Sequence, residues 1–204
     1  MNIIKDYFSN WSIFNQKQTR NYNVVFTGMT GVGKTSLLYK MKLGEFIGDS
    51  DIGRGTMYNV EYYSFRDRQF TLWELKTISP HATHVNLKID VLILVVDSSN
   101  DRLHTLQETK QYFYDALKDA LQYSGEQTSI LILANKCDQP NTSILKEIED
   151  QLELPLLNNY IDNNSSTKSN HLWHIQAVSA KSGYGIDESL DWISNILELQ
   201  QQNY

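Results

Sequence analysis

The sequence predicts an α/β fold with a mainly parallel sheet. Short apolar runs alternate with longer stretches of helical periodicity along the chain, the pattern of strands and crossover helices. Residues 91–96 (VLILVV) and 129–134 (SILILA) are nearly unbroken apolar runs, as central parallel strands covered on both faces should be.

In chain order, residues 23–27 (NVVFT) form a first strand that leads into a glycine. Residues 36–43 read as a helix, with Leu37, Leu38 and Met41 at helical spacing. Residues 58–65 and 69–75 are two strands joined by a tight polar turn at Arg66, Asp67 and Arg68, which makes a β-hairpin. The run at 91–96 is followed by a long helix over 103–123, whose polar face reads as solvated. Then come the strand at 129–134 and a helix over 143–152. Residues 158–170 are rich in Asn and Ser and predict a mobile surface loop. The last strand is 174–178 and the last helix 186–199, with Ile186, Leu190, Ile193, Ile196 and Leu197 on one stripe.

At 204 residues the chain is one domain of ordinary size. Its net charge of −6 disfavours a general nucleic-acid binder. Cys137 is the single cysteine, so no internal disulfide or cysteine metal cluster forms, and a cytoplasmic or other reducing intracellular compartment is expected. No apolar run has the length of a membrane span, and the N-terminus has no secretory pattern, so secretion is not expected.

Residues 28–35 read GMTGVGKT, which satisfies G-x-x-x-x-G-K-[ST] between a strand and a helix. Gly28 and Gly33 let the backbone bend, so that N–H groups of the loop point at phosphate oxygens. The following helix adds its positive end. Lys34 supplies a full charge to the β- and γ-phosphates, and Thr35 offers a hydroxyl to Mg²⁺. The expected phosphate-binding set is Gly28, Thr30, Gly31, Val32, Gly33, Lys34, Thr35 and Ser36. ATPases and GTPases share such a loop, so it does not name the base.

Residues 135–138 read NKCD, directly after the strand at 129–134. Ligands of such sheets sit at the carboxyl ends of strands. Asp138 can accept two hydrogen bonds from the guanine ring N–H and 2-amino group, donors that adenine lacks on that edge. The stem of Lys136 can cover the base face, and Asn135 can tie this loop to the phosphate loop. Ser179, Ala180 and Lys181 (SAK) follow the last strand, where the Ala180 N–H can meet the guanine carbonyl oxygen. These motifs predict GTP or GDP with Mg²⁺ as the bound cofactors.

The chain resembles the Arf/Arl family of small GTPases along nearly its whole length. The resemblance lies in GKTSLLYKMKLGE (33–45), NVE (59–61), FTLWE (70–74), LILVVDSSNDR (92–102), LANKCDQPN (133–141) and GIDESLDWISNIL (185–197). It implies a six-stranded, five-helix G-domain with two nucleotide-sensing switch segments, one before Asn59 and one after Trp73. It also implies a division into an N-terminal amphipathic helix and linker over 1–20 and the G-domain over 21–204.

Three departures from the family pattern bear on function. Counting back from NVE puts Gly55 where the family has its Mg²⁺-ligating threonine, with Thr56 one residue away. The family's D-x-G-G-Q is Glu74, Leu75, Lys76, Thr77 and Ile78 here. Glu74 keeps a carboxylate for the outer Mg²⁺ shell, but Ile78 stands where a glutamine should orient the attacking water and has no polar group to do so. The third is Asn2, which replaces the glycine that myristoylation needs; in this the chain is similar to the Sar branch. Metal-site candidates are therefore Thr35, Thr56 and Glu74, and hydrolysis is expected to be very slow or absent.

Ile3, Ile4, Tyr7, Phe8, Trp11 and Phe14 lie on one helical face. Lys5 and Asp6 cancel in charge, so any membrane contact is expected to be weak, and packing on the domain or a partner is at least as well supported. His81, His84, His104, His171 and His174 show no metal-ligand spacing, and Trp73 and Trp192 read as core. Two functions remain open on these residues: a switch that recruits a protein effector, or a nucleotide-holding structural subunit of a larger assembly.

Overall fold

A computed structural model describes residues 20–48, 58–75, 87–99, 106–123, 128–140, 142, 145–164 and 172–202. The N-terminal amphipathic face, Gly55, Thr56, Lys76, Thr77, Ile78, His81, His84, His104 and His171 lie outside these residues.

The described elements are β1 (Asn21–Thr27), α1 (Lys34–Leu43), β2 (Tyr58–Phe65), β3 (Arg68–Leu75), β4 (Val91–Asp97) and α2 (Leu106–Tyr123), then β5 (Ser129–Asn135), α3 (Leu145–Gln151), α4 (Leu157–Asn164), β6 (Trp173–Ala177) and α5 (Ile186–Gln202). The six strands form one sheet in the order β2-β3-β1-β4-β5-β6. The hairpin pair β2 and β3 is antiparallel, and the other pairs are parallel.

Alternation along the central strands builds two cores. Val24, Phe26, Val91, Ile93, Val95, Leu131 and Leu133 pack on one side of the sheet with Leu37, Leu38 and Met41 of α1 and with Ile193 and Leu197 of α5. Val25, Leu92, Leu94, Val96, Ile130 and Ile132 pack on the other side with Phe113 and Leu117 of α2, Ile148 of α3 and Ile161 of α4. A strand buried on both faces must be apolar at every position, which is why β4 and β5 read as continuous runs.

Several boundaries differ from expectation. α1 begins at Lys34, so Lys34 and Thr35 form its first turn instead of preceding it. The hairpin turn is Arg66 and Asp67 alone, because Arg68 pairs with Phe65. Arg66 takes the positive φ of 51° that so short a loop requires. The region expected to be a loop from residue 158 begins instead as α4, which includes Asn158 and extends to Asn164. Leu157 and Ile161 are fully buried, and the Tyr160 ring meets the Tyr114 ring edge-on at 4.6 Å. Three apolar contacts at helical spacing outweigh the weak helix propensity of the intervening asparagines. α2 is solvated on one face only, since Phe113, Ala116, Leu117 and Ala120 are buried. The two tryptophans sit at core edges: Trp73 donates to Asn23 Oδ1 at 3.1 Å, and Trp192 stacks on His174 at 5.6 Å.

Candidate functional site

The carboxyl ends of β1, β3, β4, β5 and β6 lie along one edge of the sheet, the edge where ligands of parallel sheets bind. The loop after β1 runs into α1 and carries the glycines. Gly28 has φ +141°, and a Cβ there would lie 2.4 Å from the Val95 carbonyl oxygen. Gly33 has φ +93°, and its Cβ would lie 2.3 Å from Asn135 Nδ2. Neither distance leaves room for a side chain, so both positions require glycine. The loop thus lies directly on β4 and on the end of β5.

A cleft of about 450 Å³ opens over this loop. Residues Gly28 to Gly31 and Gly33 to Ser36 line it, with Glu74 from the end of β3 and Tyr112 from α2. Lys34 Nζ donates to the carbonyls of Gly28 and Met29, both at 2.9 Å. Burial pulls the Lys34 pKa below its ordinary value, and the charge of Glu74 offsets part of that. A cation so placed gains from an anionic ligand the stabilisation that water gives it when it is exposed. The Thr35 hydroxyl donates to Glu74 Oε1 at 2.5 Å, which brings together two of the three predicted metal-site residues. A hydroxyl beside a carboxylate is a hard-oxygen donor set of the kind Mg²⁺ prefers. Ser36 is buried, and its hydroxyl donates to the Ile47 carbonyl at 2.9 Å. Its hydroxyl hydrogen is therefore already engaged by the chain beyond α1.

Asn135, only 1% exposed, knots three loops together. Its Nδ2 donates to the Val32 carbonyl at 2.8 Å, and its Oδ1 accepts the Ala180 N–H at 3.0 Å. Its own carbonyl accepts both the N–H of Ser98, at 2.9 Å, and the Ser98 hydroxyl, at 2.8 Å. The Ala180 amide, expected to face a guanine oxygen, here faces Asn135. Asp138 is exposed, and its Oδ1 accepts the Ser179 hydroxyl at 2.7 Å. The Ser179 oxygen in turn accepts the Ser182 N–H at 3.0 Å, so the loop after β6 holds Asp138 in place. Lys181 is exposed.

Lys136 adopts φ +69°, an uncommon value for a residue with a side chain. That turn sends its ammonium back to the Gly31 carbonyl at 2.8 Å and to Asp97 Oδ2 at 2.7 Å. Sequence reasoning gave Asp97 no role. The available signal was a carboxylate closing an otherwise apolar strand, which must be paired if it is buried. Burial by itself would raise the Asp97 pKa. Hydrogen bonds from Lys136 and Ser99, together with the Lys136 charge, outweigh burial and hold it below its ordinary value, so Asp97 presents a carboxylate at neutral pH.

Comparison with known proteins agrees with this arrangement. The profile of the Arf (ADP-ribosylation factor) family matches residues 9–197. In fold, the chain is similar to the solved structure of the Arl6 BBS3 small GTPase from Trypanosoma brucei with bound nucleotide analogue GppNp. The TM-score is 0.68 and the identity 23%, over 89% of this chain and 99% of that chain. A loop after β1 tied by Asn135 to the ends of β5 and β6, and a family match over nearly the whole length, lead to one conclusion: the chain belongs to the ADP-ribosylation factor family of GTP-binding small GTPases.

Proposed function

We propose that the protein holds GTP or GDP in this crevice, with the phosphates on the loop from Gly28 to Thr35 and the base between Lys136 and Asp138, and that it hydrolyses GTP very slowly on its own. The observation that carries this reading is the Asn135 knot. One side chain fixes the phosphate loop through Val32 and the SAK loop through Ala180, so both halves of a nucleotide would meet a single rigid frame.

Thr35, with Thr56 from the first switch and Glu74 in the outer shell, would hold Mg²⁺, whose charge offsets that of the phosphates when it is bound. Gly31, Gly33 and Lys34 bind and orient the phosphate chain. Asp138 accepts the two guanine donors, and Ser179 keeps its carboxylate aimed. Ser36 contributes its backbone N–H rather than its hydroxyl. The family implies a protein effector, and we place its recognition at the switch segments on either side of the β2–β3 hairpin. Weak membrane contact by residues 1–20 and a cytoplasmic location complete the proposal.

Slow hydrolysis follows from what Ile78 lacks. The reaction depends on positioning and electrostatics around the γ-phosphate. Lys34 and Thr35 still serve the electrostatic part, but isoleucine has no atom that can hold a water. Single-turnover release of phosphate from bound GTP is expected to run below the roughly 10⁻⁴ s⁻¹ of an unassisted small GTPase. An Ile78→Gln variant measured beside it is expected to be faster. A wild-type rate at or above the ordinary value would overturn the claim of impaired hydrolysis while leaving nucleotide binding untouched.

A further inference from the structure

We propose that Asp97 is a positioning residue for nucleotide binding: its carboxylate holds the Lys136 side chain in place, so that the stem is already set against the base and the ammonium ties the base loop to the phosphate loop. This rests on guanine nucleotide occupying the crevice described above.

The strand supplies the position. β4 and β5 run in parallel with Asp97 opposite Asn135, so Lys136 is the first residue beyond the pairing. Asp97 is 8% exposed, and its two carboxylate oxygens have separate tasks. Oδ1 accepts the Ser99 N–H at 3.1 Å and the Ser99 hydroxyl at 2.6 Å, which sets the plane of the carboxylate. Oδ2 is thereby presented to Lys136 Nζ at 2.7 Å.

A lysine beside a loop carbonyl gains little by staying there, because water solvates its ammonium at least as well and the free side chain samples many rotamers. A buried, correctly oriented carboxylate changes that balance, since a charge-assisted hydrogen bond is about twice as strong as a neutral one. With Asp97 in place, the Lys136 stem is ordered before the nucleotide arrives, and binding does not have to order it. The same ammonium donates to the Gly31 carbonyl at 2.8 Å. It is thus a second tie between the base loop and the phosphate loop, independent of Asn135. Asp97 acts on the nucleotide through Lys136, whose ammonium it holds at 2.7 Å.

The test is the dissociation of N-methylanthraniloyl-GDP from the full-length chain, chased with excess GDP. Asp97→Asn keeps the size of the side chain and removes its charge; it should speed dissociation about tenfold. Lys136→Met keeps an apolar stem and removes the ammonium; it should speed dissociation to a similar degree. In the double variant the two effects should not multiply, because each removes the same interaction. Ser99→Ala is a milder second route, expected to give a smaller acceleration that vanishes in the Lys136→Met background. An unchanged rate in both Asp97→Asn and Ser99→Ala would overturn the proposal. So would multiplicative effects in the double variant, which would mean that Asp97 acts without Lys136. If the wild-type chain failed to bind the GDP probe, the nucleotide reading itself would fall, and this proposal with it. Tight wild-type binding with Asp97→Asn and Ser99→Ala both unaffected would remove the proposal alone.

Discussion

Lys34→Ala is expected to abolish tight nucleotide binding. Lys34 is the cation that reaches the loop carbonyls of Gly28 and Met29 from within the first turn of α1. Burial already weakens the charged form of its ammonium, and Glu74 offsets only part of that, so an anionic ligand would repay the rest of its desolvation. Removing a buried, hydrogen-bonded charge from such a contact costs on the order of 3–5 kcal/mol, a loss of about 10²- to 10⁴-fold in affinity. The neighbouring Thr35→Ala removes the hydroxyl that meets Glu74. It should leave most of the affinity and weaken its Mg²⁺ dependence. Calorimetric titration of both variants with GDP, with and without EDTA, separates the two roles. Unchanged affinity in Lys34→Ala would mean that this loop does not take the phosphates.

Asp138→Ala is expected to remove the preference for guanine, at a cost of on the order of 3 kcal/mol in GDP affinity and with tighter binding of adenine nucleotides. Asp138 is exposed in the structure, so its carboxylate carries no burial penalty until a base covers it. Guanine supplies two donors at that moment and adenine supplies none, and the penalty of an unpaired carboxylate then falls on adenine alone. The Ser179 hydroxyl aims the carboxylate at 2.7 Å. Ser179→Ala should therefore give a smaller loss of the same kind. Competition of GDP and ADP against a fluorescent GDP on each variant measures the ratio directly. A guanine preference that survived Asp138→Ala would assign base reading to other residues.

The parts of this site that were legible in the sequence were those fixed by local chemistry. Gly28 and Gly33 could be assigned because their backbones must bend, and the structure adds that each lacks room for a Cβ. The role of Asn135 as a tie to the phosphate loop could be read from NKCD and its place after an apolar strand, and its bond to the Val32 carbonyl agrees with that reading. β4 and β5 announced themselves because a strand buried on both faces can hardly be anything but apolar.

What was not legible depends on contacts between distant segments. α4 was hidden because Asn158, Asn159, Asn163 and Asn164 look like loop residues, while Leu157 and Ile161 become core only once α2 and the sheet are beside them. Ser36 was placed in the nucleotide set by its position in the motif, and its hydroxyl bond to the Ile47 carbonyl joins residues 11 positions apart. Asp97 and Lys136 are 39 positions apart, and only the parallel pairing of β4 with β5 brings them together. The Ala180 amide could be placed at the base edge from the SAK string, but its bond to Asn135 depends on β6 lying beside β5.

The central claim is that this crevice is a guanine-nucleotide site. It is tested most directly by titrating the purified wild-type chain, stripped of nucleotide and in the presence of Mg²⁺, with GDP and with ATP. The account predicts one tight site per chain for GDP and an affinity for ATP weaker by on the order of 10³-fold or more. Equal affinity for the two nucleotides, or no binding of either, would contradict it.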